Sequence, residues 1–215
     1  MQMTDFGGAG VSRPAWSPDG GRIAFDSNAT GGYDIWVVSA NGGKPQRMTT
    51  HPANDGNPTW SRDGRWIYFD SARAGEQQVW KMPANGGEAT QVTRDGGCAP
   101  LESPDGKSLY YTKSLVDTSL WRVPGEGGRP AKVLDGLQDF QALAVVEGGL
   151  YFVPVQSGAA SPSIQFLSFQ THKAGPVATF EKPVGGLTVS PDGRWILYSQ
   201  IEQAGSELML VENFR

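Results

Sequence analysis

One cysteine, Cys98, stands in the 215 residues, which excludes an intrachain disulfide and any zinc site built on cysteines. Basic residues do not cluster: 18 Lys and Arg are spread among 22 Asp and Glu for a net charge of −4, so the chain has no electrostatic footprint for nucleic acid. Apolar runs stop at about five residues, Ala142 to Val146 being typical, against the roughly 20 that a spanning helix needs. The opening MQMTDFGGAG has neither a cationic nor an apolar stretch of the secretory kind, so no signal peptide is expected. A cytoplasmic chain, or a mature or excised piece of something longer, fits that start. Room for helices is also short. Gly 29 and Pro 15 punctuate the chain, and the longest stretch free of both, Lys107 to Val123, reads as strand, loop, strand.

What is present is enough for a core. Hydrophobic residues make up 38%, with seven Trp, six Tyr and nine Phe, and a chain of this length buries roughly 70% of its unfolded surface. It is also repetitive. Trp16-Ser17-Pro18-Asp19-Gly20 recurs as Trp60-Ser61-Arg62-Asp63-Gly64, as Glu102-Ser103-Pro104-Asp105-Gly106 and as Val189-Ser190-Pro191-Asp192-Gly193, with a degenerate copy at Val146-Glu147-Gly148. The turn glycines at 20, 64, 106, 148 and 193 recur every 42 to 45 residues, a spacing typical of propeller blades.

Each turn leads into a short run of aromatic and branched residues: Ile23-Ala24-Phe25, Ile67-Tyr68-Phe69, Leu109-Tyr110-Tyr111, Leu150-Tyr151-Phe152 and Ile196-Leu197-Tyr198. Such runs read as buried strands. A second strand follows about ten residues on, as in Ile35-Trp36-Val37-Val38, and Gly-Gly turns close it in the first three units at 42–43, 86–87 and 127–128. With the strand before each turn and a polar-edged one ending at Met48-Thr49, Val92-Thr93, Val133-Leu134 and Ala178-Thr179, each unit has four strands. The last unit stops after its third. Gln2-Met3-Thr4 matches Arg47-Met48-Thr49, so the N-terminal segment is expected to complete the last unit and close a ring. The expectation is an all-β single domain over 1–215, a five-bladed propeller with blades at about 13–49, 57–93, 99–134, 142–180 and 186–215 plus 1–4, monomeric if the ring closes.

These residues resemble the TolB-like, or PD40, type of WD40-like propeller repeat. That pattern is an aromatic-Ser-Pro-Asp-Gly turn, an Ile-Ala-Phe-like strand, an Ile-Tyr/Trp-Val strand and a Gly-Gly turn. The resemblance runs through essentially the whole chain, clearest in units one and two and weakest in four. No Trp-Asp or Gly-His signature of true WD40 repeats is present, and five blades depart from the six or seven frequent in the family. The resemblance implies a bacterial scaffold or sensing propeller, a gating propeller of a prolyl-oligopeptidase-type enzyme, or one appended to a signalling protein. The tail Leu208 to Arg215 is similar to the end of bacterial proteins that join such propellers to a winged-helix regulator, which would make this chain a C-terminal part.

No Gly-x-Ser-x-Gly nucleophile elbow occurs, so a serine hydrolase has no support. Asp19, Asp63, Asp105 and Asp192 occupy one turn of successive units with Gly20, Gly64, Gly106 and Gly193; backbone hydrogen bonding by Asp and positive φ at Gly account for both types without chemistry. Asp26 and Asp70 read likewise as turn formers, and Trp36, Trp80 and Trp121 as packing between blades. The Asn28-Ala29-Thr30 sequon carries little weight in a chain of bacterial type. Among the expected innermost strands, starting near Arg13, Asn57, Ala99, Ala142 and Gly186, Glu102 is the one carboxylate, where glycoside hydrolysis ordinarily uses two. It reads as a paired, partly buried acid or as drift.

No cofactor or metal is expected. The loops after the second and fourth strands share one face, which carries the candidate partner-binding residues: Phe6, His51, Asp55, Asn57, Phe140 and Gln141 from the connections between units, Tyr33, Arg73 and Asp117 from the others, with Arg13 and Glu102 on the innermost strands. Mixed charge with aromatic anchors suits a protein or peptide; solvated, variable loops would look the same. The reading is a non-catalytic interaction or sensing module without nucleic acid or membrane partners. The alternatives are an enzyme-associated propeller, gating a peptidase or acting on glycans, and a fragment with no function of its own.

Overall fold

The computed structural model describes residues 3–156, 161–202 and 205–212, with side chains described through residue 200. No helix occurs among the described residues. The chain divides into two compact units, Met1–Val116 with Trp121–Ala131, and Asp117–Leu120 with Lys132–Arg215. The first holds two complete sheets. One is β1 (Val11–Trp16), β2 (Arg22–Ser27), β3 (Asp34–Ser39) and β4 (Gln46–Arg47); the other is β5 (Asp55–Trp60), β6 (Trp66–Ala74), β7 (Glu76–Pro83) and β8 (Thr90–Gln91). A third sheet, β9 (Cys98–Glu102), β10 (Ser108–Thr112), β11 (Leu120–Pro124) and β12 (Ala131–Leu134), has the division between the units running through its last two strands. The second unit holds β13 (Leu143–Val146), β14 (Gly149–Phe152), β15 (Ser163–Ser168) and β16 (Ala174–Thr179), then β17 (Val184–Val189), β18 (Trp195–Glu202) and β19 (Gly205–Glu212). Hydrogen-bonded order follows chain order in every sheet, four strands in the first four and three in the last.

The turns between first and second strands work by one local device. Asp19 Oδ1 accepts from Ser17 Oγ at 2.5 Å and from the Gly21 N–H at 2.9 Å, while Ser17 Oγ accepts the Arg22 N–H at 2.9 Å. The same three bonds recur around Asp63, Asp105 and Asp192. Gly20, Gly64, Gly106 and Gly193 sit at φ between 67° and 70°, where a Cβ would be strained. Those bonds, the serine hydroxyl first, hold all four carboxyls below the usual range, Asp63 at about 2.

Alternation along the strands sends residues to opposite faces. Ala24, Ile35 and Val37 of the first sheet meet Trp60, Ile67, Phe69 and Met82 of the second. Tyr68 and Val79 point the other way, onto Leu109, Tyr111 and Val123. Trp60 is clamped: its Nε1–H donates to Ala15 O at 3.0 Å and Arg22 lies 4.6 Å from its ring centroid. The recurring tryptophans join these layers, Trp80 beside the first cluster and Trp121 beside the second. In the second unit Ala142, Val153 and Ile164 pack with Val184, Leu187, Ile196 and Tyr198.

Two details differ from the sequence expectation. The fourth strands of the first two sheets are only two residues long, and the threonines expected to end them lie just beyond. Thr49 and Thr93 turn their hydroxyls inward, where they accept the Ile35 and Val79 N–H at 2.9 Å and so extend the pairing through a side chain. At the N terminus, residues 1–2 lie outside the described residues and residues 3–6 form no strand. Met3 and Phe6 instead pack on Ile23, Phe25 and Val38, with the Phe6 ring 5.0 Å from Trp36.

Gly149 in β14 gives a direct test of packing. It pairs with Ser168, and a Cβ there would overlap the Phe166 ring and the Leu167 carbonyl. Gly149→Ala should cost about 1–3 kcal/mol, as overpacking of a tight site does; urea denaturation checks it, and a neutral result would refute the close approach.

Candidate functional site

In a sheet whose strands follow in order, the start of the first strand, the end of the second, the start of the third and the loop after the fourth share one end. At this end of the first unit the first strands carry a bulge, with register shifts between Ser12 and Ala15, between Gly56 and Thr59, and opposite Tyr110 to Thr112. Arg13, Asn57 and Ala99 occupy the bulges at φ of 51°, 52° and 49°, values uncommon outside glycine and asparagine. Each precedes a proline, Pro14, Pro58 or Pro100, which has no N–H to offer a ladder and is tolerated at a bulge.

The backbone N–H at Asn57 and at Ala99 is held from the sheet before it. Asp26, at the end of β2, accepts the Asn57 N–H at 3.1 Å. It also accepts Arg13 Nη1 at 3.2 Å and the Ser12 hydroxyl. Asp70, at the same place in β6, accepts the Ala99 N–H at 2.9 Å, Asn57 Nδ2 at 2.6 Å and Gln77 Nε2 at 2.6 Å. Asp26 and Asp70 are 0% and 2% exposed, so both are buried ties between sheets and not the turn formers expected from sequence. A side-chain carbon on Gly56 would stand 3.5 Å from Asp26 Oδ2 and 3.6 Å from Asp70 Oδ1; the two carboxylates face one point.

Around them lie further ion pairs. Asp55 Oδ2 meets Arg73 Nη2 at 2.7 Å, and the same guanidinium lies 5.0 Å from the Phe69 and Trp80 rings. Asp34 Oδ2 meets Arg47 Nη2 at 2.8 Å and accepts the Thr30 hydroxyl at 2.7 Å. Burial pushes the Asp70 carboxyl up to about 6 against the lowering effect of its donors, and pushes the Cys98 thiol up to about 12 with Asp70 adding to the rise.

The candidate residues separate into two sets. Asp55 and Asn57 are buried and Arg73 is 13% exposed on its side chain, so they hold the end together from within, while Glu102, also buried, ends β9 at the opposite end beside the turns. Glu102 accepts the Arg62 N–H at 2.5 Å and the Tyr68 hydroxyl at 3.0 Å, the paired acid among the two sequence readings. Arg13 is about a third exposed above Asp26. Phe6 is partly buried on the first sheet. Tyr33 and His51 lie outward: Tyr33 N–H donates to Asn54 Oδ1 at 2.9 Å, and His51 Nδ1 accepts the Ala53 N–H at 3.0 Å. Leu115 and Val116 are exposed in the loop between β10 and β11. In the second unit Asp117 Oδ1 caps Ser119 N–H at 3.0 Å, Phe140 is half-buried and Gln141 is exposed, its carbonyl accepting the Leu187 N–H at 3.0 Å.

The ties at Asp26 and Asp70 were missed because an acceptor's partner 29 or 31 residues away leaves no local trace. A signal existed in the proline two residues before each Trp16, Trp60 and Glu102, which marks the bulges. Among the described residues no group of three or more His, Cys, Asp or Glu is placed to hold a metal ion. Chemically, Asp26 and Asp70 are occupied in accepting N–H, guanidinium and hydroxyl donors, while Asp55 Oδ1 is buried without a hydrogen-bond partner among the described residues.

The fold recurs in known structures. TolB from Acinetobacter baumannii superposes with a TM-score of 0.77 at 18% identity, over 95% of this chain and 52% of that one. A putative TolB from Agrobacterium tumefaciens gives 0.74 at 17%, over 95% and 77%. A puromycin-hydrolyzing peptidase from Mycobacterium tuberculosis gives 0.65 at 13%, over 93% and 35%. The chain thus spans about half the length of the Acinetobacter protein. No curated protein matches. The TolB beta propeller domain family, PD40, matches residues 2–123, more than half of the sequence, and the chain belongs to that family.

Proposed function

We propose that this chain is a non-catalytic TolB-like propeller that presents the loop end of its sheets to a protein or peptide partner, or to another domain of a larger bacterial protein. One observation carries the reading: four buried aspartates, Asp26, Asp34, Asp55 and Asp70, brace that end from inside, while Tyr33, Leu115 and Val116 stand exposed on its loops. A braced scaffold with aromatic and apolar tips has little ordering entropy left to lose on binding. The five sheets are read as five blades of one domain over 1–215, with the N-terminal segment completing the last; the strand order within each sheet supports the blades, and the seat of Met3 and Phe6 on the first sheet supplies no completing strand.

The test is site-specific photo-crosslinking in bacterial cells. Probes at Tyr33 and Val116 should capture one discrete partner, and probes at Asp63 and Asp105, on the turns at the opposite end, should not. Equal capture at both ends, or none together with hydrolytic activity of the purified chain, would overturn the proposal. The peptidase-associated alternative rests on the likeness to the Mycobacterium enzyme and requires a hydrolase domain in the same or an adjacent gene.

A further inference from the structure

Asp26 and Asp70 face the same glycine, Gly56, from two sheets, yet their surroundings differ. Asp26 has a cation, Arg13, at 3.2 Å. Asp70 accepts directly from three amide donors at 2.6–2.9 Å, and the Arg13 charge is the smallest of the influences on it. The pair therefore places two negative charges beside one positive charge, in a site where neither carboxylate is more than 2% exposed. A buried carboxylate whose direct donors are all neutral meets a large desolvation cost when ionised, and at Asp70 this burial outweighs its donors and the Arg13 charge.

We propose that Asp70 is a proton-operated latch between the second and third sheets, binding a proton from solvent as the medium turns mildly acidic and tightening the first unit as it does so. The neutral acid keeps one oxygen to accept the Ala99 N–H. The proton goes to Oδ1, whose new O–H is accepted by Gln77 when its amide turns over to present oxygen in place of NH2, while Oδ2 keeps Asn57 Nδ2 as a donor. The other titratable or charged groups against the site are Arg13 on β1, Asp26 on β2 and the Cys98 thiol on β9, which stays protonated across this range.

Burial sets the direction. The folded carboxyl sits near 6 against an ordinary 3.8, so between these values the folded state holds a proton that the unfolded chain has released, and stability rises as pH falls. From pH 7 to pH 5 this one group should lower the unfolding constant about tenfold. The turn aspartates act in the opposite sense, their stabilisation being lost as pH falls below their ordinary 3.8 toward their lowered folded values, and so they leave the window clear.

Urea unfolding of the whole chain at pH 7 and pH 5 should show the rise in the native protein and its loss in Asp70→Asn. Retention of the full rise in that variant would overturn the proposal. Carboxyl carbon NMR of 13C-Asp-labelled native protein is independent of the variant's folding. An Asp70 signal titrating near pH 6 supports the latch; a signal that stays ionised to pH 4.5 refutes it.

Discussion

An Asp26→Ala protein should be less stable than the native chain by about 3 kcal/mol, the range expected when one partner of a buried charged network is removed. The aspartate is wholly buried and accepts from the Asn57 N–H, Arg13 Nη1 and the Ser12 hydroxyl. Arg13 is 34% exposed on its side chain and can turn to water, so its loss counts little. The Asn57 N–H cannot: it sits in a bulge at φ 52°, and no rotation of a side chain brings it to solvent. Asp26→Asn tests the same point without a cavity, because its amide can offer one oxygen where two acceptors are needed. Urea denaturation at pH 7 should place Asn between Ala and the native residue. A loss below about 1 kcal/mol for Ala, the scale of one neutral hydrogen bond, would mean that water replaces the carboxylate.

Phe69→Ala should cost at least as much, about 3–5 kcal/mol, as truncations of buried phenylalanine do. Its ring is fully buried among Ala24, Ile35, Trp60, Ile67 and Met82. It is also one of the two rings beside the Arg73 guanidinium, which pairs with buried Asp55. The substitution thus removes packing between the first two sheets and part of the setting of an ion pair. Phe69→Leu keeps most of the volume and should cost about 1.5 kcal/mol or less. Thermal unfolding of the two variants separates the contributions. Equal losses would show that the flat ring against Arg73 matters more than the filled volume.

What could be read from the sequence was what is local. The turn at Asp19 is built from bonds to Ser17 and Gly21, each two residues away, and so its residue types announce it. The aromatic strands are equally direct, since Phe25 and Phe69 sit in runs of apolar residues that must be buried. Asp26 and Asp70 look identical to turn residues because they follow such runs and precede polar loops; only the bulge in the next sheet reveals their use. Asp55 and Arg73 lie at the end where the loops meet, and their side chains turn inward, since each satisfies the other's charge. Position along the strand was legible, and direction across the sheet was not.

Asn57 gives the first unit a property that no single sheet possesses. Its backbone donates to Asp26 and its side chain to Asp70, so one residue belongs to both joints at once. In repeat architectures, cooperativity depends on the strength of nearest-neighbour coupling. Here the coupling runs through three successive repeats in series. The corresponding strand-end positions farther along hold Thr112, Val153 and Ser199, which cannot act as carboxylate acceptors. The opening repeats should therefore melt as one block, and hydrogen exchange should release the amides of β2, β6 and β9 together.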